Sequence, residues 1–349
     1  MRLRPVLATV TAGLAVATCL GAAAPANSRL QEGSCSSRVD IDSYSDALDK
    51  TEFQGSFVGN FSALAVDTDG DIAAVSDRSE LFGLDRASLR PKSVVHLADE
   101  KGAQLDSEGL AVERDGSRLV SSETEPSVRR YSRDGALLGS LPVPDALRVA
   151  PAGRATRNLT FEGLTLQPGG RTLVAAMEGP IAGDGPGIVR LQTWRRHGQK
   201  QEFRLAEQYG YRADAKLGIS EATATGDGRL LVLERGFTAG VGNTVRLYLA
   251  DLRHATDVSD VEYVTEQDVT GQDGIRLVRK TLLADIADCP SLGAPAKQPQ
   301  PNPLLDNIEA MAVTSRAPGR LHLLLASDDN QNSAQITRFY RLSVRLPRH

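Results

Sequence analysis

Four glutamates, Glu108, Glu162, Glu221 and Glu309, each stand at the opening of a short apolar run, and five more acids, Asp77, Glu123, Glu178, Glu234 and Asp328, close the runs that follow. Carboxylates that converge repel one another, so they either hold protons above the ordinary carboxylate range or take a cation between them. A ligand set of carboxylate oxygens, without thiolate or imidazole, suits a hard ion, and calcium before magnesium because calcium tolerates irregular sets of about six to eight oxygens. The competing use of these acids is architectural: they accept backbone hydrogen bonds between units or pair with Arg78, Arg157 and Arg235, their neighbours in sequence. A ring used only for architecture does not need so many carboxylates at one rim.

Other chemistries lack their residues. There is no Gly-x-Ser-x-Gly elbow, no phosphate-binding loop of the Walker type, no His-Glu-x-x-His and no Cys-x-x-Cys. His96, His197, His254, His322 and His349 are isolated, and none falls at the end of a hairpin.

The segment from Asp106 to Glu123 predicts what positions the acids. It reads as an acidic start, the apolar strand Leu110–Val112, an Asp115-Gly116 turn, a second apolar strand Leu119–Val120 and an acidic end. In an antiparallel hairpin the start of one strand and the end of the next lie side by side, so Glu108 and Glu123 should be close. The unit recurs from Phe61 to Asp77, where Ser62 takes the glutamate slot, then from Phe161 to Glu178, Ser220 to Glu234 and Ile308 to Asp328. Equivalent positions lie 46 (Leu64 to Leu110), 54 (Leu110 to Leu164), 59 (Leu164 to Thr223) and 88 (Thr223 to Met311) residues apart. The last gap is twice a normal period, so this spacing predicts an all-β, six-bladed β-propeller with one blade, residues 255–285, degenerate in sequence.

Outer strands are expected at Val128–Tyr131, Gly187–Leu191 and Val245–Leu249. Phe53–Phe57 reads as a strand upstream of the first hairpin, able to close the ring against Ile336–Leu342 so that N- and C-terminal strands leave no free edge. Pro290–Pro303 is expected as a long ordered loop or a lid.

Residues 1–26, a basic start, an apolar run and Ala24-Pro25-Ala26, have the form of a secretory signal peptide; Cys19 would matter only if the signal were of the lipoprotein type. Residues 27–50 are a polar lead-in and 51–345 a single propeller domain. Removing Arg2 and Arg4 leaves 38 basic against 44 acidic residues, a net charge near −6. That charge gives no reason to bind nucleic acid or an anionic membrane, and a monomer acting on a small molecule is expected. Cys35 and Cys289 remain, and in an oxidising compartment they are expected to form a disulfide near the closure of the ring.

The motifs Leu105-Asp106-Ser107-Glu108-Gly109-Leu110, Arg157-Asn158-Leu159-Thr160-Phe161-Glu162-Gly163-Leu164, Met177-Glu178-Gly179-Pro180, Leu233-Glu234-Arg235, Asp306-Asn307-Ile308-Glu309 and Ser327-Asp328-Asp329-Asn330 resemble a secreted phytase-like family described as "esterase-like activity of phytase". The similarity runs over about residues 50–345 and departs from the family pattern at Ser220-Glu221-Ala222, which lacks the glycine, and at Gln331. The resemblance implies a calcium-assisted propeller hydrolase of ester or phosphoester bonds. On that reading Glu162 is the base, Glu108, Glu221 and Glu309 lead the metal ligands with Asp77, Glu123, Glu178, Glu234 and Asp328 around them, and Arg157 and Arg235 neutralise developing charge. The alternatives are a propeller lactonase with an apolar entrance and a non-catalytic ligand-binding propeller with a structural cation.

Overall fold

The computed structural model describes residues 33–198, 201–270 and 274–347, so the expected signal peptide and Cys19 lie outside the described residues. In chain order, β1 is Val39–Ser45, and β2 (Thr51–Phe53) with β3 (Ser56–Val58) forms a small hairpin. Blade I is β4–β7 (Phe61–Val66, Ile72–Ser76, Glu80–Leu84, Pro91–His96), and blade II is β8–β11 (Ser107–Val112, Arg118–Ser122, Ser127–Tyr131, Leu137–Ser140). Blade III is β12–β15 (Phe161–Leu166, Thr172–Met177, Ile188–Arg195, Arg204–Arg212), and blade IV is β16–β19 (Gly218–Ala224, Leu230–Thr238, Gly242–Asp251, Arg279–Asp285). Blade V is β20–β22 (Ile308–Ala317, Arg320–Ser327, Phe339–Arg345), completed by β1 on its outer edge.

The first strands of the blades, β4, β8, β12, β16 and β20, contact one another in that order and β20 returns to β4, closing a ring about one axis. The molecule is therefore an all-β propeller, with five four-stranded blades among the described residues where the spacing predicts six. Residues 255–285 make no blade of their own. Val261–Val264 is not strand, Leu282–Asp285 belongs to β19, and the segment between β18 and β19 is an insertion holding the short helix α1 (Glu266–Thr270). Arg190 of β14, paired with Asp184 at 2.7 Å, donates to the carbonyls of Val261 and Glu262 and docks this insertion on blade III.

Closure joins the two ends of the chain, β1 pairing antiparallel with β22 from Val39–Val344 to Ser45–Phe339. The closing strand is thus Val39–Ser45 and not the Phe53 region. There Gln54 and Gly55, both at positive φ, make the tight turn that folds β2 locally onto β3. The core lies between blades: Phe61 of blade I meets Phe82 at 5.8 Å and Phe339 of blade V at 5.5 Å, all buried. Trp194 packs edge-on against Phe161 and donates its indole N–H to the Pro142 carbonyl at 2.7 Å. The three outer-strand expectations fall on β10, β14 and β18. The Cys35–Cys289 disulfide is present, tying the start of the closing strand to the end of blade IV. Pro290–Pro303 is a strandless loop tied down by Asn302, which donates to the Cys289 carbonyl at 2.6 Å, and by Arg338, which reaches the carbonyls of Pro295 and Pro303.

Candidate metal centre

Each of the five inner strands breaks register with its partner near its start: between Phe61 and Ala63, Ser107 and Leu110, Phe161 and Leu164, Ile219 and Glu221, and Ile308 and Ala310; β20 alone breaks again, between Val313 and Ser315. A bulge leaves a residue out of the ladder and re-aims its side chain. The re-aimed residues are Ser62, Glu108, Glu162, Ser220 and Glu309, so one local irregularity repeated around the ring turns hydroxyl or carboxyl oxygen toward one mouth of the axis. In blade II the bulge is stabilised by Ser121, whose Oγ accepts from Gly109 N–H at 2.7 Å and donates to the Glu162 carbonyl of the next blade. Glycine is needed there for space: a Cβ on Gly109 would lie 2.3 Å from the Glu162 carbonyl oxygen, and one on Gly163 2.3 Å from Ala222 N.

The second set of acids follows from the same pairing. Glu123, Glu178 and Asp328 each donate a backbone N–H to the residue just before the neighbouring inner strand (Asp106, Thr160 and Asn307), and Asp77 does the same to Asn60. Blade IV differs. Ile219 pairs with Glu234 and Gly218 with Arg235, so Ser220 fills the glutamate slot, Glu221 the glycine slot and Arg235 the place of the second acid. Glu234 is turned away from the ring and held by Tyr211 Oη at 2.7 Å, Asp214 N–H at 2.7 Å and Lys280 Nζ at 2.5 Å. Glu221 faces the channel below the acids, among Leu64, Leu110, Leu164 and Met311, and accepts from its neighbour Ala222 N–H at 2.8 Å and from the N–H groups of Leu164 and Met311. One carboxylate therefore joins three inner strands. Glu221→Ala should cost about 2–4 kcal/mol by leaving buried N–H groups without an acceptor. Denaturant unfolding reads that loss, and calorimetry of the folded variant titrated with divalent ions should match the wild type; a lost binding equivalent would make Glu221 a ligand.

Two sets of three carboxylates have oxygens mutually within 4.8 Å: Asp106, Glu108 and Glu123, and Glu123, Glu162 and Glu178. Glu123 is common to both, and its Oε1 is buried with no hydrogen-bond partner among the described residues. Asp106 is the member that sequence reasoning missed as a ligand; it stands two residues before Glu108, just ahead of β8, and also accepts from Thr124 Oγ1 at 2.9 Å. Burial, then the charge of Glu309 and Asp106, lifts the Glu108 carboxyl well above its usual range, and burial with Glu108 and Glu178 does the same to Glu162. Glu123 is pushed up to about 7 by burial and Glu178, and Glu178 to about 7 by burial against the pull of Arg235. Asp328 is raised by burial and by Glu309 and Asp77. Asp77 is raised by burial although Asn60 donates to it at 2.9 Å, and Glu309 by burial although Arg235 lies 2.8 Å away and Asn307 donates to it at 3.0 Å.

Arg235 is the guanidinium among these acids, 2.8 Å from Glu309 and 3.7 Å from Glu178, with its Nε unpartnered among the described residues. Burial works against its charge, and the surrounding carboxylates more than offset that. Arg157 is not brought into the ring: it is exposed and lines a groove with Thr124, Arg129 and Arg148. Arg78, half exposed, lies 3.5 Å from Asp77. The structure thus gathers Glu108, Glu162, Glu309, Asp77, Glu123, Glu178, Asp328 and Arg235 at one mouth and leaves Glu221, Glu234 and Arg157 outside it.

Fold and site define a propeller whose axial mouth gathers carboxylates, two sets of which could hold a cation. The sequence model of the phytase-like family, "Esterase-like activity of phytase", matches residues 56–331, and the chain belongs to that family. It is 29% identical over 106 residues to an uncharacterized secreted protein of Arthroderma benhamiae; the match takes in 23% of this chain and spans only 21% of that relative's length. Among solved structures it is similar to the glutaminyl cyclase of Myxococcus xanthus (12% identity, TM-score 0.43, 88% of this chain and 97% of that one). It is also similar to the RRP9 WD40 repeats (11% identity, TM-score 0.39, 90% and 99%). No helix among the described residues is long and apolar enough to cross a membrane.

Proposed function

We propose that this protein is a secreted, calcium-assisted hydrolase of phosphoester or carboxylic ester bonds, acting on a small molecule at the acidic mouth of the channel. The observation that supports this most is the sharing of Glu123 by two three-carboxylate sets, one of its oxygens buried and unpartnered. Asp106, Glu108, Glu123 and Glu178 offer only hard oxygen donors at irregular positions, a donor set that fits calcium, with Glu162 beside them. When bound, the ion supplies Lewis-acid polarisation of a phosphoryl or carbonyl oxygen.

The chain's own groups do the rest. Glu162, whose buried carboxyl has a raised proton affinity, takes a proton from the attacking water. Arg235 keeps its charge inside the ring, and the exposed fifth of its side chain offsets negative charge on the substrate. Glu309, Asn307 and Glu178 hold that guanidinium and its surroundings in place.

The test is an assay of the purified protein on aryl phosphate, inositol phosphate, aryl acetate and lactones, with calcium and with chelator. Hydrolysis of an ester that chelator abolishes and calcium restores is expected. Turnover indifferent to chelator removes the metal from the reading, turnover of lactones alone makes the protein a lactonase, and calcium binding without turnover makes it a ligand-binding propeller.

A further inference from the structure

One hairpin rises past the ring. The second strands of blades I, II, III and V stop at Ser76, Ser122, Met177 and Ser327, one residue before the acid, whereas β17 continues through Arg235 to Gly236, Phe237 and Thr238 and turns back into β18 at Gly242. The ladder is unbroken there, Arg235 opposite Val245 and Phe237 opposite Asn243. Side chains two residues apart on a strand share a face and stand about 7 Å apart. Arg235 points at Glu178 and Glu309, so Phe237 lies on the same face of the hairpin as Arg235, one step further out from the acids. Its ring is 56% exposed, and Val241 at the same tip is 54% exposed. The hairpin is not left to swing: Asn243 N–H donates to Gln300 Oε1 at 2.8 Å, so the Pro290–Pro303 loop buttresses it from behind.

An exposed phenyl group held on a braced hairpin beside the partly exposed Arg235 guanidinium forms a two-part recognition surface, charge below and apolar ring above. Small-molecule sites have this composition, with apolar walls and a few fixed polar groups. Resting on the hydrolase reading, we infer that Phe237, with Val241, is the specificity-determining wall of the site. It packs on an aromatic or similarly apolar leaving group while Arg235 holds the anionic centre, so the substrate class is an aryl-type ester rather than an alkyl or purely polar one. Burying one face of the phenyl ring against a second aromatic ring corresponds to about tenfold in affinity.

The experiment compares phenylphosphonate with methylphosphonate, both non-hydrolysable, by calorimetry on the wild type and on Phe237→Ala with calcium present, alongside kcat/KM for phenyl and methyl phosphate. The wild type should bind the phenyl compound about tenfold more tightly, and Phe237→Ala should remove most of that preference, in binding and in the kcat/KM ratio. Val241→Ser should remove a smaller part, and circular dichroism checks that both variants fold. Equal binding of the two phosphonates by the wild type, no binding of phenylphosphonate, or a preference that survives Phe237→Ala overturns the inference. A wild type that hydrolyses phosphate esters but does not discriminate retains the hydrolase reading and loses the aromatic wall. One that prefers phenylphosphonate but turns over nothing does the reverse.

Discussion

Glu123→Gln should weaken calcium binding by at least about 100-fold and take chelator-sensitive hydrolysis with it, the largest loss expected from any single ring acid. Every other carboxylate in the two close sets belongs to one of them, whereas Glu123 belongs to both. Substitution by glutamine keeps the shape and one oxygen but removes the charge that a divalent ion needs on both sides. The same change should raise the melting temperature of the calcium-free protein, because burial and the neighbouring Glu178 and Asp106 oppose the charge of Glu123 in the folded state. Loss of metal affinity together with gain of metal-free stability separates a ligand from a residue whose loss merely disturbs folding. Glu162→Gln should fold equally well and lose turnover more than calcium affinity, since its assigned part is to take a proton. Calorimetry showing wild-type calcium affinity in Glu123→Gln would end the metal-centre reading.

The calcium-free protein should lose stability as the pH rises from about 4.5 to above 7, opposite to a protein whose acids are paired. Glu123 and Glu178 have folded-state pKa values raised from 4.5 to about 7. Below 4.5 both groups are protonated in the folded and unfolded chains and contribute nothing. Between 4.5 and 7 the folded chain binds more protons than the unfolded one, so each upward step in pH favours unfolding. Above 7 both groups are ionised in the folded state and the penalty is complete. Calcium offsets the repulsion that causes it, so saturating calcium should flatten the profile and raise the melting temperature most at pH 8 and least at pH 5. Binding near pH 6 should release protons, which calorimetry in two buffers of different ionisation heat measures directly. A melting temperature that climbs with pH in chelator, or a calcium effect independent of pH, contradicts this account.

The five hairpins were legible in the sequence because each carries its own alternation and turn, and the acids because they recur at fixed offsets from those turns. What misled was distance along the chain. The 88 residues from Thr223 to Met311 count the insertion around α1 and the Pro290–Pro303 loop as though they were strands, and a period measures chain length and not pairing. Blade IV misled differently. Matching Glu221 to Glu108 follows residue identity, but the turn from Thr225 to Arg229 sets Ala224 opposite Leu230, which puts Ser220 in the slot. A slip of one residue sends a side chain to the other face, so Glu221 drops below the ring, Glu234 turns outward and Arg235 takes the acid's place. The apolar phase of Ile219 and Ala222, both buried, carried that register. Val39 and Ile41 likewise mark the closing strand by alternation, masked by the serines and aspartates between and after them.

The Cys35–Cys289 bond encloses four whole blades in one covalent circle. A protease that cuts once anywhere between those two cysteines opens the circle without dividing the molecule, and both new ends remain tethered. The nicked chain would migrate as a single species until a reductant is added, and both the insertion of blade IV and the Phe237 hairpin lie inside the circle. Only blade V, with its three strands after Cys289, can be severed from the rest by one cleavage, and β1, which pairs along β22, would still hold its edge.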